Sequence, residues 1–257
     1  MILFHRHYGQ GTPLVILHGL FGQSDNWASI ARRLGEQHLS VFCMDLRNHG
    51  LSPHSEQVSL ALMAADVAET LEDLRIPAVH LLGHSMGGKV AMEFALSFAG
   101  KLKSLILADI GPGYYPPHHQ EIIKGLMAVK PEEVKSRQEA EERLAAYVKD
   151  LSTRQFLLKN LYRTDDGEHF AWRFNLEAIA KNIEEVGKAL PGETIRVPSL
   201  FYHGGRSNYV KPADYSSIQQ QFTAAEFRLM EGAGHWLHAE QPETFISTVI
   251  DWIRPFA

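Results

Sequence analysis

The stretch GHSMGGKV, Gly83–Val90, combines a serine and a lysine at spacings that fit two different kinds of chemistry. A phosphate-binding loop of the form G-x-x-x-x-G-K-[ST] needs a hydroxyl after the lysine to bind Mg²⁺, and Val90 occupies that position. The run LILAD (105–109) ends in an aspartate, as a metal-binding strand would, but this ending is common in parallel strands. The motif G-x-S-x-G instead forms a sharp turn between a strand and a helix. Because an apolar run precedes Ser85 and a helical pattern follows it, we predict that Ser85 is a nucleophile.

A serine hydroxyl is a weak nucleophile until an imidazole removes its proton. The segment GAGHWLHAEQPE (232–243) offers His235, directly after the last predicted strand, and His238 three residues further on. Because sites in α/β proteins form at the carboxyl ends of strands, we predict that His235 is the base. None of the fourteen histidines shows H-E-x-x-H or paired Cys/His spacing, so we expect no metal site and place most of them on the surface or in loops.

Acyl transfer also requires two backbone N–H groups that face the oxyanion, and one belongs to the residue after the serine, Met86. The other comes from a loop after an early strand, where HGLFG (18–22) lies. We predict that Leu20 is this second donor and keep Phe21 as the alternative.

Apolar runs alternate with helical patterns in most of the chain, which predicts a parallel sheet with helices on both faces. The predicted strands are PLVILHG (13–19), LSVFCMDL (39–46), AVHLLG (78–83), LKSLILAD (102–109), PSLFYHG (198–204) and AEFRLMEG (225–232). The Gly- and Pro-rich segment 111–119 interrupts this order, and the block that follows is helical without a recognisable strand. We therefore predict an α/β core of residues 1–111 and 196–257, with a helical cap insertion at 112–195.

The composition excludes several classes of protein. A net charge of -5, from 25 Lys and Arg against 30 Asp and Glu, argues against a nucleic-acid partner. The single cysteine, Cys43, cannot form an intramolecular disulfide, which favours a reducing compartment. No apolar run approaches the ~20 residues of a membrane span, and the start MILFHRHYG lacks the pattern of a secretory signal. We expect a cytoplasmic protein without a membrane span.

Four motifs in this order, HGLFGQSDNW, DLRNHGLS, GHSMGGK and GAGHWLHAE, resemble the α/β-hydrolase superfamily, in particular the YbfF-type esterases and their mitochondrial relatives. QFLLKN (155–160) and WRFN (172–175) resemble the same branch, so the resemblance covers nearly the whole chain. It implies an α/β-hydrolase fold with an eight-stranded, mostly parallel sheet whose first strands are antiparallel, and a helical cap after strand 6. It also implies cleavage of carboxylic esters without a cofactor, and some relatives accept acyl-CoA thioesters.

The resemblance also bears on the acid that should support the base. Many family members carry it after strand 7, where this chain has Asn208, and an amide cannot balance the positive charge that an imidazole gains. The branch resembled places its acid in a D-I-x-P setting at the end of strand 6, which matches Asp109 in LADIGP. We therefore predict Asp109 as the acid, with Asp214 as the alternative, and a turn-capping role for Asp109 remains open.

Aromatic side chains of the predicted cap and the nearby loops are candidates for an acyl pocket and, equally, for the core of the cap. The pocket candidates are Phe21, Tyr114, Phe156, Trp172 and Trp236, and Tyr115, Phe170 and Phe174 are further ones. Polar residues of DLRNHGLS, namely Asp45, Arg47 and His49, are expected to hydrogen-bond loops around the site. Lys89 is expected to point toward solvent or a partner carboxylate.

The sequence thus predicts a serine hydrolase that acts on a small-molecule ester or thioester through an acyl-serine intermediate, with catalytic residues Ser85, His235 and Asp109. Three alternatives stay open: a cofactor-free lyase or haloperoxidase of the same fold, a non-catalytic ligand-binding module, which Asn208 favours, and a nucleotide-binding switch. The sequence leaves the acyl chain length, the leaving group and the oligomeric state open.

Overall fold

A computed structural model describes residues 1–256, and its strands form one large sheet and one small hairpin. The strands are β1 (His5–Tyr8), β2 (Thr12–Leu17), β3 (Leu39–Met44), β4 (Val79–His84), β5 (Leu102–Ala108), β6 (Leu161–Arg163), β7 (Phe170–Trp172), β8 (Ser199–Gly204) and β9 (Ala225–Met230). Seven of them form the large sheet in the order β1-β3-β2-β4-β5-β8-β9, and all its pairs are parallel except β1 with β3. The six strands that the sequence predicts all lie in this sheet.

The large sheet has seven strands, one fewer than the resemblance implies. Residues 1–4, ahead of β1, form no strand pairing. Their backbone groups are bonded to loops instead, since Phe4 accepts from Asp45 N–H (2.9 Å) and donates to Ser52 Oγ (2.8 Å). The expectation of an eighth strand was therefore wrong for the part of the chain that is described.

Helices cover both faces of the large sheet and fill the chain between β5 and β8. They are α1 (Ala28–Gly35), α2 (Leu60–Asp73), α3 (Met86–Ser97), α4 (Gln120–Val129), α5 (Arg137–Ala145), α6 (Leu151–Leu158), α7 (Leu176–Lys181), α8 (Ile183–Gly187), α9 (Tyr215–Gln221), α10 (Leu237–Glu240) and α11 (Pro242–Ile253). Ser59, predicted as the N-cap of α2, accepts a hydrogen bond from Leu62 N–H (3.2 Å). Within residues 1–256, no helix has both the length and the apolar character needed to cross a membrane.

Alternation along the strands divides the core into two layers. In β2, Val15 and Leu17 belong to one buried cluster, whereas Leu14 and Ile16 belong to the other. The first cluster contains the buried faces of α2 and α3 and most of the apolar residues between β5 and β8. The second contains the buried faces of α1 and α11. Because both faces are covered, the central strands β2, β3, β4, β5 and β8 are mostly buried and apolar, as the sequence predicts.

The chain between β5 and β8, called the inserted segment below, contains α4 to α8 and the hairpin β6–β7. The sequence predicts no strand in this block, and that prediction was wrong. Each hairpin strand has three residues, too few for a period of two to be recognised. The turn between them contains Asp166-Gly167, a pair typical of hairpins, which the sequence analysis overlooked.

Lys89 does not point toward solvent or a carboxylate, as the sequence analysis expected. It is buried in α3, and its ammonium donates to the carbonyls of Pro112 (3.2 Å), Gly113 and Lys188 (3.0 Å). The first two carbonyls lie where the inserted segment begins, and the third lies near its end. Three carbonyls therefore satisfy the three donors of one ammonium and join both ends of the inserted segment to α3.

Six of the fourteen histidines are buried: His18, His49, His80, His84, His203 and His238. Burial disfavours the charged imidazolium, so it lowers the pKa of His18 to about 4 and the pKa of His238 to about 3. His238 also stacks on Trp27, with ring centroids 4.0 Å apart. These imidazoles are neutral parts of the core at neutral pH.

Replacing Lys89 with methionine should lower the free energy of unfolding by about 2 kcal/mol, because three buried carbonyls lose their donor. The loss is moderated because burying the ammonium is itself unfavourable, as a Lys89 pKa lowered to about 7 indicates. Urea unfolding measures the change. The control is Lys188→Met, whose side chain is 63% exposed and which should change stability by less than about 0.5 kcal/mol. Equal stability of Lys89→Met and wild type would contradict the assignment.

Acidification should destabilise the protein through its buried histidines. His238 binds a proton below pH 6.5 in the unfolded chain but only near pH 3 in the folded one. Between these pH values the unfolded state binds more protons than the folded state. As the pH is lowered, this residue therefore reduces the free energy of unfolding by about 1.4 kcal/mol per pH unit. His238→Phe keeps an aromatic ring against Trp27 and should reduce the slope by that amount in urea unfolding at pH 6, 5 and 4. Above pH 7 the two proteins should differ only by a constant packing term, and an unchanged slope would refute the assignment.

Candidate active site

Ser85 occupies a one-residue turn between β4 and α3. Its backbone has φ 53° and ψ -120°, a conformation that is strained for a residue with a side chain. The surrounding structure holds the turn, since Ser85 N–H donates to Ala108 O (3.2 Å) and Ser85 O accepts from Gly88 N–H (2.9 Å). β4 ends at His84 and α3 begins at Met86, which leaves no loop to wrap around a phosphate. The turn therefore favours the nucleophile interpretation of this stretch.

Glycines next to Ser85 let the helix approach the sheet. A Cβ atom on Gly83 would lie 2.2 Å from Gly87 O, and one on Gly87 would lie 2.4 Å from Leu17 O at the end of β2. Both distances are far below van der Waals contact, so no other residue fits at either position. The spacing of the motif is thus set by the packing of α3 against β2 and β4.

Asp109 and His235 meet at the carboxyl edge of the sheet, where β5 and β9 end. Asp109 Oδ2 lies 2.6 Å from His235 Nδ1. The Asp109 side chain is fully buried, whereas the His235 side chain is 23% exposed. The carboxylate therefore holds Nδ1 on the buried side of the ring, and Nε2 is left for a partner in the cleft.

Two further donors converge on the Asp109 carboxylate, one from the last residue of β8 and one from the loop that follows it. Gly204 N–H donates to Oδ1 (3.0 Å), and the Ser207 hydroxyl donates to Oδ2. Asn208, at the position where other family members carry the acid, lines an open groove instead. Asp214 accepts from Lys211 N–H (2.8 Å) in its own turn, away from His235. Ser207 was not predicted, since no sequence pattern distinguishes its hydroxyl from those of other loop serines.

His235 has aromatic and polar neighbours that fix its ring and its backbone. Tyr209 stacks on the imidazole with ring centroids 4.2 Å apart and an interplanar angle of 20°. The carbonyl of His235 accepts a hydrogen bond from His84 Nε2 (2.8 Å). Burial holds the pKa of His84 well below its ordinary value, so this imidazole is neutral with its proton on Nε2. Neither Tyr209 nor His84 was assigned a role from the sequence.

A cleft with a volume of about 160 Å³ contains both Ser85 and His235. Of the predicted pocket residues, Phe21, Phe156 and Trp236 line it, as does Leu20. Its lining also includes residues that the sequence analysis did not single out: His84, His118, His119, Ile122, Thr153, Leu157 and Tyr209. The surface around the nucleophile is therefore mostly aromatic and apolar, with several imidazoles.

Two predicted pocket residues, Tyr114 and Trp172, lie elsewhere. Tyr114 is 57% exposed and lines the open groove. Trp172 stacks on Phe174 (5.1 Å), which in turn packs against Phe21 (5.2 Å). Trp172 thus belongs to the packing of the inserted segment. For Trp172 this is the cap-core role that the sequence left open beside the pocket role, whereas the exposed Tyr114 does not line the cleft.

The two predicted oxyanion donors lie next to Ser85. Leu20 lines the cleft, and Met86 lines a second, smaller cavity that also contains Ser85. The loop that carries Leu20 is fixed, because Phe21 O accepts from Asn160 Nδ2 (2.8 Å) and Gly22 N–H donates to Gly19 O (2.9 Å). This places both backbone segments around the serine, and the donor roles stay predictions.

Polar residues of DLRNHGLS hold loops, as the sequence analysis predicts. Asp45 accepts from Leu51 N–H (2.8 Å), and His49 Nδ1 pairs with the carbonyl of Arg47 (2.9 Å). Arg47 forms a buried ion pair with Asp66 (2.6 Å). Within residues 1–256, no group of three or more His, Cys, Asp or Glu side chains is arranged to hold a metal ion.

Comparison with known proteins identifies relatives over nearly the whole chain. A sequence profile of the α/β hydrolase fold matches residues 12–242. The chain is 39% identical over 255 residues to the sn-1-specific diacylglycerol lipase ABHD11 of Danio rerio, covering 96% of this chain and 80% of that protein. It is 34% identical over 242 residues to the esterase YbfF of Escherichia coli K12, covering 93% of this chain and 91% of that protein.

Among solved structures, a marine microorganism esterase superposes with a TM-score of 0.94 at 41% identity, covering 98% of this chain and 99% of the other. The strand order, the turn at Ser85 and these matches confirm the resemblance and the fold class predicted from the motifs. The chain belongs to the α/β-hydrolase fold family, in the branch that contains the esterase YbfF.

Proposed function

We propose that this protein, a carboxylic-ester hydrolase, cleaves its substrate through an acyl-serine intermediate on Ser85. The observation that carries the proposal is the 2.6 Å contact between His235 Nδ1 and the buried carboxylate of Asp109, in a cleft that Ser85 also lines. A hydroxyl, an imidazole and a carboxylate from three distant segments thus lie at one edge of the sheet.

In the acylation step, the Ser85 hydroxyl attacks the ester carbonyl while His235 Nε2 takes its proton. Asp109 holds the proton on Nδ1, fixes the tautomer and stabilises the imidazolium that forms. Because Asp109 is fully buried and keeps its partners at Gly204 and Ser207, its carboxylate stays in place as the charge on the ring changes.

The negative charge that develops on the carbonyl oxygen is met by the backbone N–H groups of Leu20 and Met86. Met86 is the first residue of α3, where unpaired N–H groups and the helix dipole both favour an anion. His235 then protonates the leaving group and later activates a water molecule that releases the acid. Together the three catalytic side chains supply on the order of 10⁶ in rate, by comparison with serine proteases.

The cleft lining indicates the kind of ester. Phe156, Trp236 and Phe21 offer apolar surface, which suits an uncharged small-molecule ester. Residues 112–195 act as a cap in this proposal, because they place Phe156 and His119 over Ser85. Acyl thioesters are the second substrate class, since the same steps cleave them. A cytoplasmic location stays a prediction that rests on the single, buried Cys43.

Replacing Ser85 with alanine should abolish the hydrolysis of p-nitrophenyl acetate and the covalent labelling of the folded protein by a fluorophosphonate. Mass spectrometry of the labelled wild type should place the adduct on Ser85. The matched control is Ser247→Ala, an exposed serine of α11, which should keep full labelling and turnover. A Ser85→Ala variant that hydrolyses the ester at the wild-type rate would refute the proposal.

Replacing Asp109 with asparagine should lower kcat by about 10⁴, the loss seen when the triad acid of a serine protease becomes an amide. An amide can present its NH₂ to Nδ1 and favour the wrong tautomer. The control is Asp214→Asn, which removes the other acid candidate and should change kcat less than twofold. Measuring kcat across the pH range for both variants tests the assignment. A large loss in Asp214→Asn with near-full turnover in Asp109→Asn would reverse it.

A further inference from the structure

A second cavity also borders Ser85, and it is smaller than the cleft. It has a volume of about 20 Å³, enough for about one or two non-hydrogen atoms. Ser85 and Met86 lie at one end of its lining, and Ile110, Ile183 and Val186 contribute apolar side chains. This space, called the side cavity below, has His118 and His119 in its lining as well.

Tyr115 and Tyr209 close the side cavity. Tyr115 is held on several sides, since its hydroxyl donates to Tyr209 O (2.6 Å) and accepts from Gly111 N–H (3.0 Å). The ammonium of Lys89 also lies 4.9 Å from the centre of the Tyr115 ring. The two tyrosine rings contact each other with centroids 5.2 Å apart. The pair therefore forms a fixed wall.

Tyr209 is held as firmly as Tyr115. One face of its ring stacks on His235, and its hydroxyl lies 3.1 Å from His118 Nε2. Burial raises the pKa of Tyr209 to about 12, so the hydroxyl is neutral at physiological pH. Neither ring can move without breaking a contact to the catalytic loop or to the start of the inserted segment.

Beyond this wall lies the open groove, with a volume of about 520 Å³. Tyr115 and Tyr209 line it on their other sides, so the same two residues border both spaces. Leu190 and Ile218 supply apolar surface in the groove, and Tyr114 and Gln221 lie on its lining as well. A single pair of side chains thus separates a cavity of one or two atoms from a much larger space.

We propose that the side cavity receives the acyl group and that Tyr115 and Tyr209 limit its length, which makes the protein selective for esters of short-chain acids. The inference rests on the function proposed above and deepens it. The acyl group stays on Ser85 until water releases it, so a small and largely apolar cavity beside the serine suits it. The alcohol or thiol leaves first, and the wider cleft beside His235 suits its departure.

The test is a series of p-nitrophenyl esters from acetate to octanoate, with kcat/KM measured for each. Wild type should prefer acetate over octanoate by at least about tenfold, since each methylene beyond the wall meets a filled space. Tyr115→Ala should join the side cavity to the groove and raise the octanoate-to-acetate ratio by about fourfold for each methylene that gains a buried position.

Tyr209→Ala should raise the same ratio, although it should also lower kcat for every ester because His235 loses its stacking partner. The octanoate-to-acetate ratio cancels that common loss. It therefore separates the effect of Tyr209 on chain length from its effect on His235. The matched control is Tyr114→Ala, a neighbouring tyrosine of the groove outside the lining of the side cavity, which should leave the ratio unchanged.

Three outcomes overturn the inference: a wild type that prefers octanoate, a ratio that stays constant in both wall variants, or an equal rise in Tyr114→Ala. Thermal unfolding of each variant shows whether it is folded, and Tyr115→Leu replaces Tyr115→Ala if the latter is not. A wild type that hydrolyses no ester and leaves Ser85 unlabelled refutes the proposed function itself. Normal labelling with an unchanged ratio refutes the chain-length inference alone.

Discussion

A carboxylate buried without any exposure is unfavourable unless several donors compensate its charge, and the site depends on how Asp109 meets this requirement. Its partners come from three places: Gly204 at the end of β8, Ser207 in the loop that follows, and His235 after β9. The register of β5, β8 and β9 brings them together. The same strand register therefore both positions the loops of the site and brings the donors that compensate the buried charge of Asp109.

The strands of the large sheet and the turn at Ser85 were predictable because they follow from local rules. Buried parallel strands are apolar runs, and a nucleophile turn needs glycines where backbones nearly touch, as at Gly83 and Gly87. The surroundings were not predictable in the same way. Lys89 donates to carbonyls 23, 24 and 99 residues away, and backbone carbonyls leave no signal in a sequence. The sequence left open whether Trp172 lies in a pocket or in the core of the inserted segment, because an aromatic residue has the same pattern in either place.

The inserted segment is held at both ends by the helix that begins at the nucleophile. Lys89 lies four residues after Ser85 on α3 and contacts Pro112, Gly113 and the carbonyl of Lys188. A helix is rigid over one turn, so the distance between the serine and the ends of the segment is nearly fixed. The contacts of Lys89 at the ends of the segment therefore help to set the width of the cleft. The side chains that line the cleft adjust its shape within that width.

The position of Asp109 has a consequence for how this enzyme can diversify. Because Asp109 is supplied from β5, the loop after β8 keeps only the backbone of Gly204 and the hydroxyl of Ser207 for the carboxylate. Neither Asn208 nor Tyr209 has to supply a carboxylate for His235. Tyr209 supports the His235 ring and also borders the side cavity, so Asn208 is the position of this loop at which natural variation or directed evolution can alter the groove without disturbing the carboxylate.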